Sequence, residues 1–296
     1  MIDLQGLIDK MEDEGYEGYL AEARVCQDLI LRAIAGSTLN RNVTIKGGVV
    51  MRGITGSARR ATQDLDLDFI RYSLDDDSIR RFIGKLNCIE GLKIRMTGEI
   101  QELSQHEYRG KRVYITIADS AGTSITSKID FGVHADLDID QDEFCFDVCM
   151  DDEGASLLIN SKEQIFVEKL RSLLRFGPVS TRYKDLYDMC YLSDVSDESR
   201  MIKYIEKSIL TESTLRENNY KDIVSRLKRT FSNRTYRRNV ERSSSANWLD
   251  MSYDDVTEKL ITYISNLPEL SEAERNDAVA KQMLDKYKGA FKELSK

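Results

Sequence analysis

The sequence predicts an α+β protein, with a first half that mixes helices and strands and a mostly helical second half. Three observations point to it. Before Leu92, apolar residues recur at helical spacing around two short apolar runs that alternate or end in glycine. From there to Cys149, β-branched residues come in runs separated by Gly, Asp and Ser, as successive strands do. After Asn160 strand signals nearly vanish, and the only two prolines, Pro178 and Pro268, punctuate helical patterns.

Taken in order, Tyr16 to Ala35 reads as an amphipathic helix, with Tyr16, Tyr19, Leu20, Ala23, Cys26, Ile30, Ala33 and Ile34 on one stripe. "NVTIKGG" reads as a short buried strand ending in a glycine turn, and "VVMRGIT" as a helix after it. "DLDLDFIRY" has period two: Leu65, Leu67 and Phe69 share one face, Asp64, Asp66 and Asp68 the other. "LDDDSIRRFIGKL" returns to helix. "GLKIRMTGEIQEL", "KRVYITIAD", "TSITSKIDFGV" and "EFCFDVC" follow as strands. "SKEQIFVEKLRSLLRF" opens with Ser161 and Gln164 in a capping-box pattern. The expected domains are therefore 1–160, α/β, and 161–296, helical, with a loop at "SSSAN".

Bulk properties narrow the function classes. No stretch approaches the roughly 18 apolar residues of a membrane helix. The acidic start "MIDLQGLIDKMEDEGYEGYL" has no secretory apolar region, which argues against export. Five scattered cysteines, with "CFDVC" lacking a second pair, fit reduced thiols in a cytoplasm better than a zinc site. Only two histidines, His106 and His134, weaken histidine-based catalysis. The net charge of −8 is unevenly spread: Arg200 to Asp250 carries twelve Lys/Arg against six Asp/Glu, including "RLKRTFSNRTYRRNVER". Such a stretch is either a phosphate-binding face or a solvated helical surface.

Three aspartates on one strand face repel one another, so something positive should oppose them. Side chains at i and i+2 on a strand lie roughly 6–7 Å apart along the backbone, within reach of one or two Mg²⁺ ions that also hold substrate phosphates. A third carboxylate, Asp130, sits in the apolar strand "SKIDFGV", where a lone acid needs a reason. Gly47 and Gly48, between a strand and a helix, let a backbone approach an anion closely. They form neither a dinucleotide-binding nor a P-loop motif.

The order "KGG…RRATQDLDL…KIDFG…EKLRSLLRF…RYKDLYDM" resembles the nucleotidyltransferase fold of DNA polymerase β-type enzymes and, more narrowly, the AbiEii/AbiGii family of nucleotidyltransferase toxins. These belong to bacterial abortive-infection and toxin–antitoxin systems. The resemblance runs from about Lys46 to Leu192. It implies a nucleotidyltransferase-type mixed sheet with flanking helices, followed by the helical domain. It implies Mg²⁺ on Asp64 and Asp66 with Asp130 as a further metal and catalytic carboxylate, and an NTP whose phosphates lie at Gly47 and Gly48. It also implies catalytic roles for Lys169, Asp185 and Asp188, contributed by the helical domain, with Lys169 neutralising the NTP phosphates. Lys169 lies on the apolar stripe of its helix, so it either snorkels to water or meets an anion such as that triphosphate. Arg60 and Thr62 are expected to bind the nucleotide and to support the turn into the aspartate strand. Asp68 receives no role.

The expected activity is phage-defence toxicity through transfer of a nucleotide to an RNA end, with tRNA as acceptor and a cognate antitoxin as partner. A protein hydroxyl as acceptor, and a non-catalytic nucleotide-binding scaffold, are the alternatives. Arg229, Arg234, Arg237, Arg238 and Arg242, interleaved with Phe231 and Tyr236 as possible base-stacking rings, are the candidate RNA contacts.

Overall fold

A computed structural model describes residues 2–103, 110–134 and 141–268, and Ala280. His106 and nearly all of 269–296 of the expected helical half lie outside the described residues. The chain divides after Ser161 into two compact units.

The first unit contains α1 (Leu4–Asp13), α2 (Tyr19–Ala35), β1 (Val43–Lys46), α3 (Gly47–Thr55), β2 (Leu65–Phe69), α4 (Asp76–Lys85), β3 (Leu92–Leu103), β4 (Gly110–Asp119), β5 (Ser124–Val133), β6 (Asp142–Val148) and β7 (Asp151–Ile159). The strands form one mixed sheet in the order β3-β4-β5-β2-β1-β7-β6. β2 pairs parallel with β5 and antiparallel with β1, while β1 pairs parallel with β7. The alternation of β2 is kept: Leu65, Leu67 and Phe69 are buried, and Phe69 packs against Phe131 of β5 and Phe82 of α4, with ring centroids 5.1 and 5.2 Å away. This aromatic cluster anchors the apolar face and leaves the aspartates on the other.

Several elements differ from the sequence expectation. The second helix starts at Tyr19, not Tyr16, because Gly15 and Gly18 take φ of 93° and 52°, which no helix continues through. Asp64 sits one residue before β2 rather than inside it. α1 was not expected; Asp3 caps it by accepting from the Gly6 N–H, and Leu4, Ile8 and Met11 form its buried stripe. β7 was not expected either. "DDEGASLLI" opens with three acids and has Gly154 at φ 73°, so propensity hides it. Pairing with β1 on one side and β6 on the other supplies what propensity does not.

A buried charge cluster holds the helices to the sheet. Asp28 of α2 is fully buried and accepts from Arg52 of α3 at 3.2 Å and from the Cys149 N–H at 3.1 Å, with Arg24 Nε 3.1 Å away. It therefore joins two helices to the turn between β6 and β7.

The second unit is helical: α5 (Lys162–Phe176), α6 (Tyr183–Val195), α7 (Glu198–Ile205), α8 (Tyr220–Phe231), α9 (Arg234–Arg242) and α10 (Tyr253–Asn266). Asp197, Asn219, Asn233 and Ser252 cap the last four of these helices through their side chains. Pro178 stands in a short 3₁₀ turn after α5.

Replacing Asp28 by Ala leaves two buried guanidinium groups without their shared carboxylate. A loss of about 3–5 kcal/mol is expected, read as a lower urea midpoint by far-UV circular dichroism. A parent-like midpoint would show that water reaches this cluster.

Candidate active site

The registers of three strand pairs build the site in the first unit. Lys46 of β1 lies opposite Asp66 of β2, Asp66 opposite Asp130 of β5, and Asp130 opposite Arg112 of β4. Register partners share a sheet face, so one row reads cation, acid, acid, cation across four strands. On one side of this row, Asp64, just before β2, meets Lys128 of β5 through an ion pair. The row on the other holds Thr44, Asp68 and Gly132.

Each of three acids has a cation. Lys128 Nζ lies 2.8 Å from Asp64, Lys46 Nζ lies 2.6 Å from Asp68, and Arg112 grips both oxygens of Asp130 at 2.7 Å. The Asp130 carboxylate raises the Arg112 guanidinium further above its already high value. The positive charge demanded by the aspartates is thus supplied, in this state, by the chain itself.

The glycine pair is shaped by its neighbours. Gly47 has φ 66°, and a Cβ there would stand 2.5 Å from Asp66 Oδ2; at Gly48 it would stand 2.7 Å from the Thr62 Oγ1 and Cβ. Only bare backbone fits between β1 and the acids. The Thr62 carbonyl accepts from Gln27 Nε2 at 2.8 Å, and Arg60 is buried in the 3₁₀ turn that precedes it. The turn entering β2 is therefore held from α2.

Among the described residues, no three His, Cys, Asp or Glu side chains converge closely enough to hold a metal ion. The donor set nevertheless fits Mg²⁺ in kind: Asp64, Asp66 and Asp130 offer only carboxylate oxygens, on neighbouring positions of one face. Lys128 and Arg112 now hold two of those carboxylates.

In the second unit, Lys169 of α5 is buried, with its ammonium 2.5 Å from Asp185 and 2.9 Å from Asp188 of α6. Arg182 Nε reaches the other oxygen of Asp185 at 2.7 Å, and the Trp248 indole N–H donates to Asp188 at 3.0 Å. Lys169 does not snorkel. The anion its position requires is supplied by the acids of "KDLYD", which the structure gathers into one group with it.

The family sequence model described as nucleotidyl transferase AbiEii toxin, Type IV TA system, matches residues 29–261. The chain belongs to the AbiEii family. It is accordingly a nucleotidyltransferase and the toxin of a type IV toxin–antitoxin system, whose counterparts are a nucleotide substrate and an antitoxin. No curated protein matches it. Among solved structures, an antigenic nucleotidyltransferase-like protein from Paracoccidioides brasiliensis is similar over 74% of this chain and 91% of its own, at 14% identity and a TM-score of 0.44.

The remaining sequence-derived residues of this AbiEii protein lie on α8 and α9. Arg229, Arg234, Arg237, Arg238 and Arg242 are all exposed. Arg237, however, is clipped to both oxygens of Asp254 at 2.7–2.9 Å, to Glu241 at 2.9 Å, and lies over the Tyr253 ring. The rings expected to stack on bases are not available. Phe231 and Tyr236 are buried and stacked on each other, because α8 and α9 turn their apolar stripes inward. Sequence reasoning missed Lys46, Arg112 and Lys128. The alternation of "SKIDFGV" was signal enough to put Lys128 on the face of Asp130.

Lys169→Met should leave Asp185 and Asp188 buried without their shared cation, a loss of about 3–5 kcal/mol. Trp248, the sole tryptophan, touches Asp188, so its fluorescence in urea reports this directly. An unshifted midpoint would show the triad to be dispensable for folding.

Proposed function

We propose that this AbiEii nucleotidyltransferase is Mg²⁺-dependent and transfers a nucleotide from an NTP to an RNA end. By the family resemblance the acceptor is a tRNA, and the setting is the bacterial cytoplasm, in phage defence. The observation that carries the reading is the Lys46–Asp66–Asp130–Arg112 row, with the Gly47–Gly48 backbone against Asp66.

Asp64, Asp66 and Asp130 are the residues that would hold Mg²⁺. When bound, the ion neutralises charge that builds on the phosphates during transfer. Gly47 and Gly48 let the phosphates approach the backbone without a side chain between. An acceptor hydroxyl attacks the α-phosphorus, the bond from that phosphorus to the bridging oxygen breaks, and pyrophosphate leaves with the electron pair. The hydroxyl proton goes to Asp130. Arg112 occupies both carboxylate oxygens of Asp130, so Asp130 takes the proton only after Arg112 has let go of one of them. Arg112 is well placed to turn to the substrate phosphates instead. Lys169, Asp185 and Asp188 serve as a positioning group that keeps α5 and α6 in register.

RNA is favoured over a protein acceptor by the exposed arginines of α8 and α9. Arg237 is excluded, since its ion pairs are part of the fold. Contact is then through phosphates alone, without aromatic stacking.

Incubation with each labelled NTP, total RNA and total protein identifies the acceptor by which fraction is labelled. RNA labelling that requires Mg²⁺ and is lost in Asp66→Asn is the expected outcome; label in protein alone would replace RNA as acceptor. RNA affinity should fall with salt, at a log–log slope of about −0.7 per single-strand phosphate contacted. Changing Arg229, Arg234 and Arg238 together to Gln should flatten that slope and leave NTP binding intact. A slope unchanged from the parent would make these arginines a solvated surface.

A further inference from the structure

The third aspartate of "DLDLD" has no part in the scheme above, yet it is the most deeply buried of the three. The Asp68 side chain is 10% exposed, whereas that of Asp64 is 48% exposed. A carboxylate closed off in this way is poorly placed to share a metal ion with Asp64. It has a different partner: Lys46 Nζ, at 2.6 Å. Room for that pair is made by Gly132 of β5, where a Cβ would stand 2.2 Å from Asp68 Oδ1 and 3.4 Å from Lys46 Nζ. Any side chain at Gly132 would displace the carboxylate.

Lys46 is placed at the end of the cation–acid–acid–cation row nearest the glycine pair, next to Asp66 in register and immediately before Gly47 in sequence. Its side chain is 26% exposed, so it remains open to a ligand while Asp68 does not. A polyphosphate reacting at the two acids and lying against the Gly47–Gly48 backbone has to extend along this row toward β1. The first cation it meets there is Lys46.

We propose that Lys46 is a phosphate-contacting residue of the transfer site, and that Asp68, given room by Gly132, is its positioning residue. The inference rests on the phosphates lying at Gly47–Gly48. It accounts for an aspartate that the family resemblance leaves without a role.

The test is equilibrium binding of a non-hydrolysable NTP and of the corresponding nucleoside, together with steady-state labelling of the acceptor. Lys46→Met should weaken NTP binding about tenfold or more, the scale of a charge-assisted hydrogen bond, and leave nucleoside binding unchanged. Lys46→Arg should restore part of the loss. Asp68→Asn and Gly132→Ala should both raise KM for the NTP by a smaller factor with kcat nearly kept, because each disturbs the carboxylate that Lys46 reaches without removing the lysine. Two results overturn the proposal: Lys46→Met binding the NTP as tightly as the parent, or losing NTP and nucleoside equally. The parent separates this from the reading beneath it. A parent that neither binds nor transfers any NTP refutes the nucleotide site itself, while a competent parent matched by Lys46→Met refutes only the role of Lys46.

Discussion

Four carboxylates on one face of a sheet repel one another, and the first unit is arranged around that constraint. Asp66, Asp68 and Asp130 lie on adjacent positions of β2 and β5, with Asp64 one residue before β2, and the strands beside them present Lys46 and Arg112 to the same face. With Lys128 from β5 itself, three ion pairs offset most of the charge. Below, the Phe69, Phe82 and Phe131 cluster ties the two strands and α4 together, so the acids cannot separate to relieve their repulsion.

The same logic recurs, more completely buried, in the second unit. Lys169, Asp185 and Asp188 combine one cation with two acids, and Arg182 supplies the second positive charge. Trp248, which comes from the loop after α9, adds a neutral donor. Because every partner is a side chain fixed by a helix or by packing, removing any one exposes the others to the penalty of an unpaired charge.

Much of the fold was legible in the sequence because alternation and helical spacing report burial directly. β2 shows this: its leucines, phenylalanine and aspartates fall on the faces that period two assigns them. What stayed hidden depended on partners distant in sequence. β7 is a strand because β1 and β6 flank it, not because of its own residues. Phe231 and Tyr236 looked available for bases because a basic helix can be read as solvent-facing all round, whereas only its arginines are exposed. At the site, the acids and the glycine pair could be read from order and spacing. Of the cations only Lys128 could, by its alternation with Asp130; Arg112 reaches Asp130 through a cross-strand register that no local pattern encodes.

The glycines show how narrowly the acids confine their surroundings. Gly47, Gly48 and Gly132 are far apart in role, yet each is fixed by a side chain standing where a Cβ would be: Asp66, Thr62 and Asp68. Only Gly47 also needs its positive φ. The requirement at the other two is space, and it runs both ways. An alanine at Gly132 has to move Asp68, and with it the carboxylate that Lys46 reaches at 2.6 Å. The acid, the glycine facing it and the lysine beside it are therefore coupled through space, so a change at any one of them is felt at the other two.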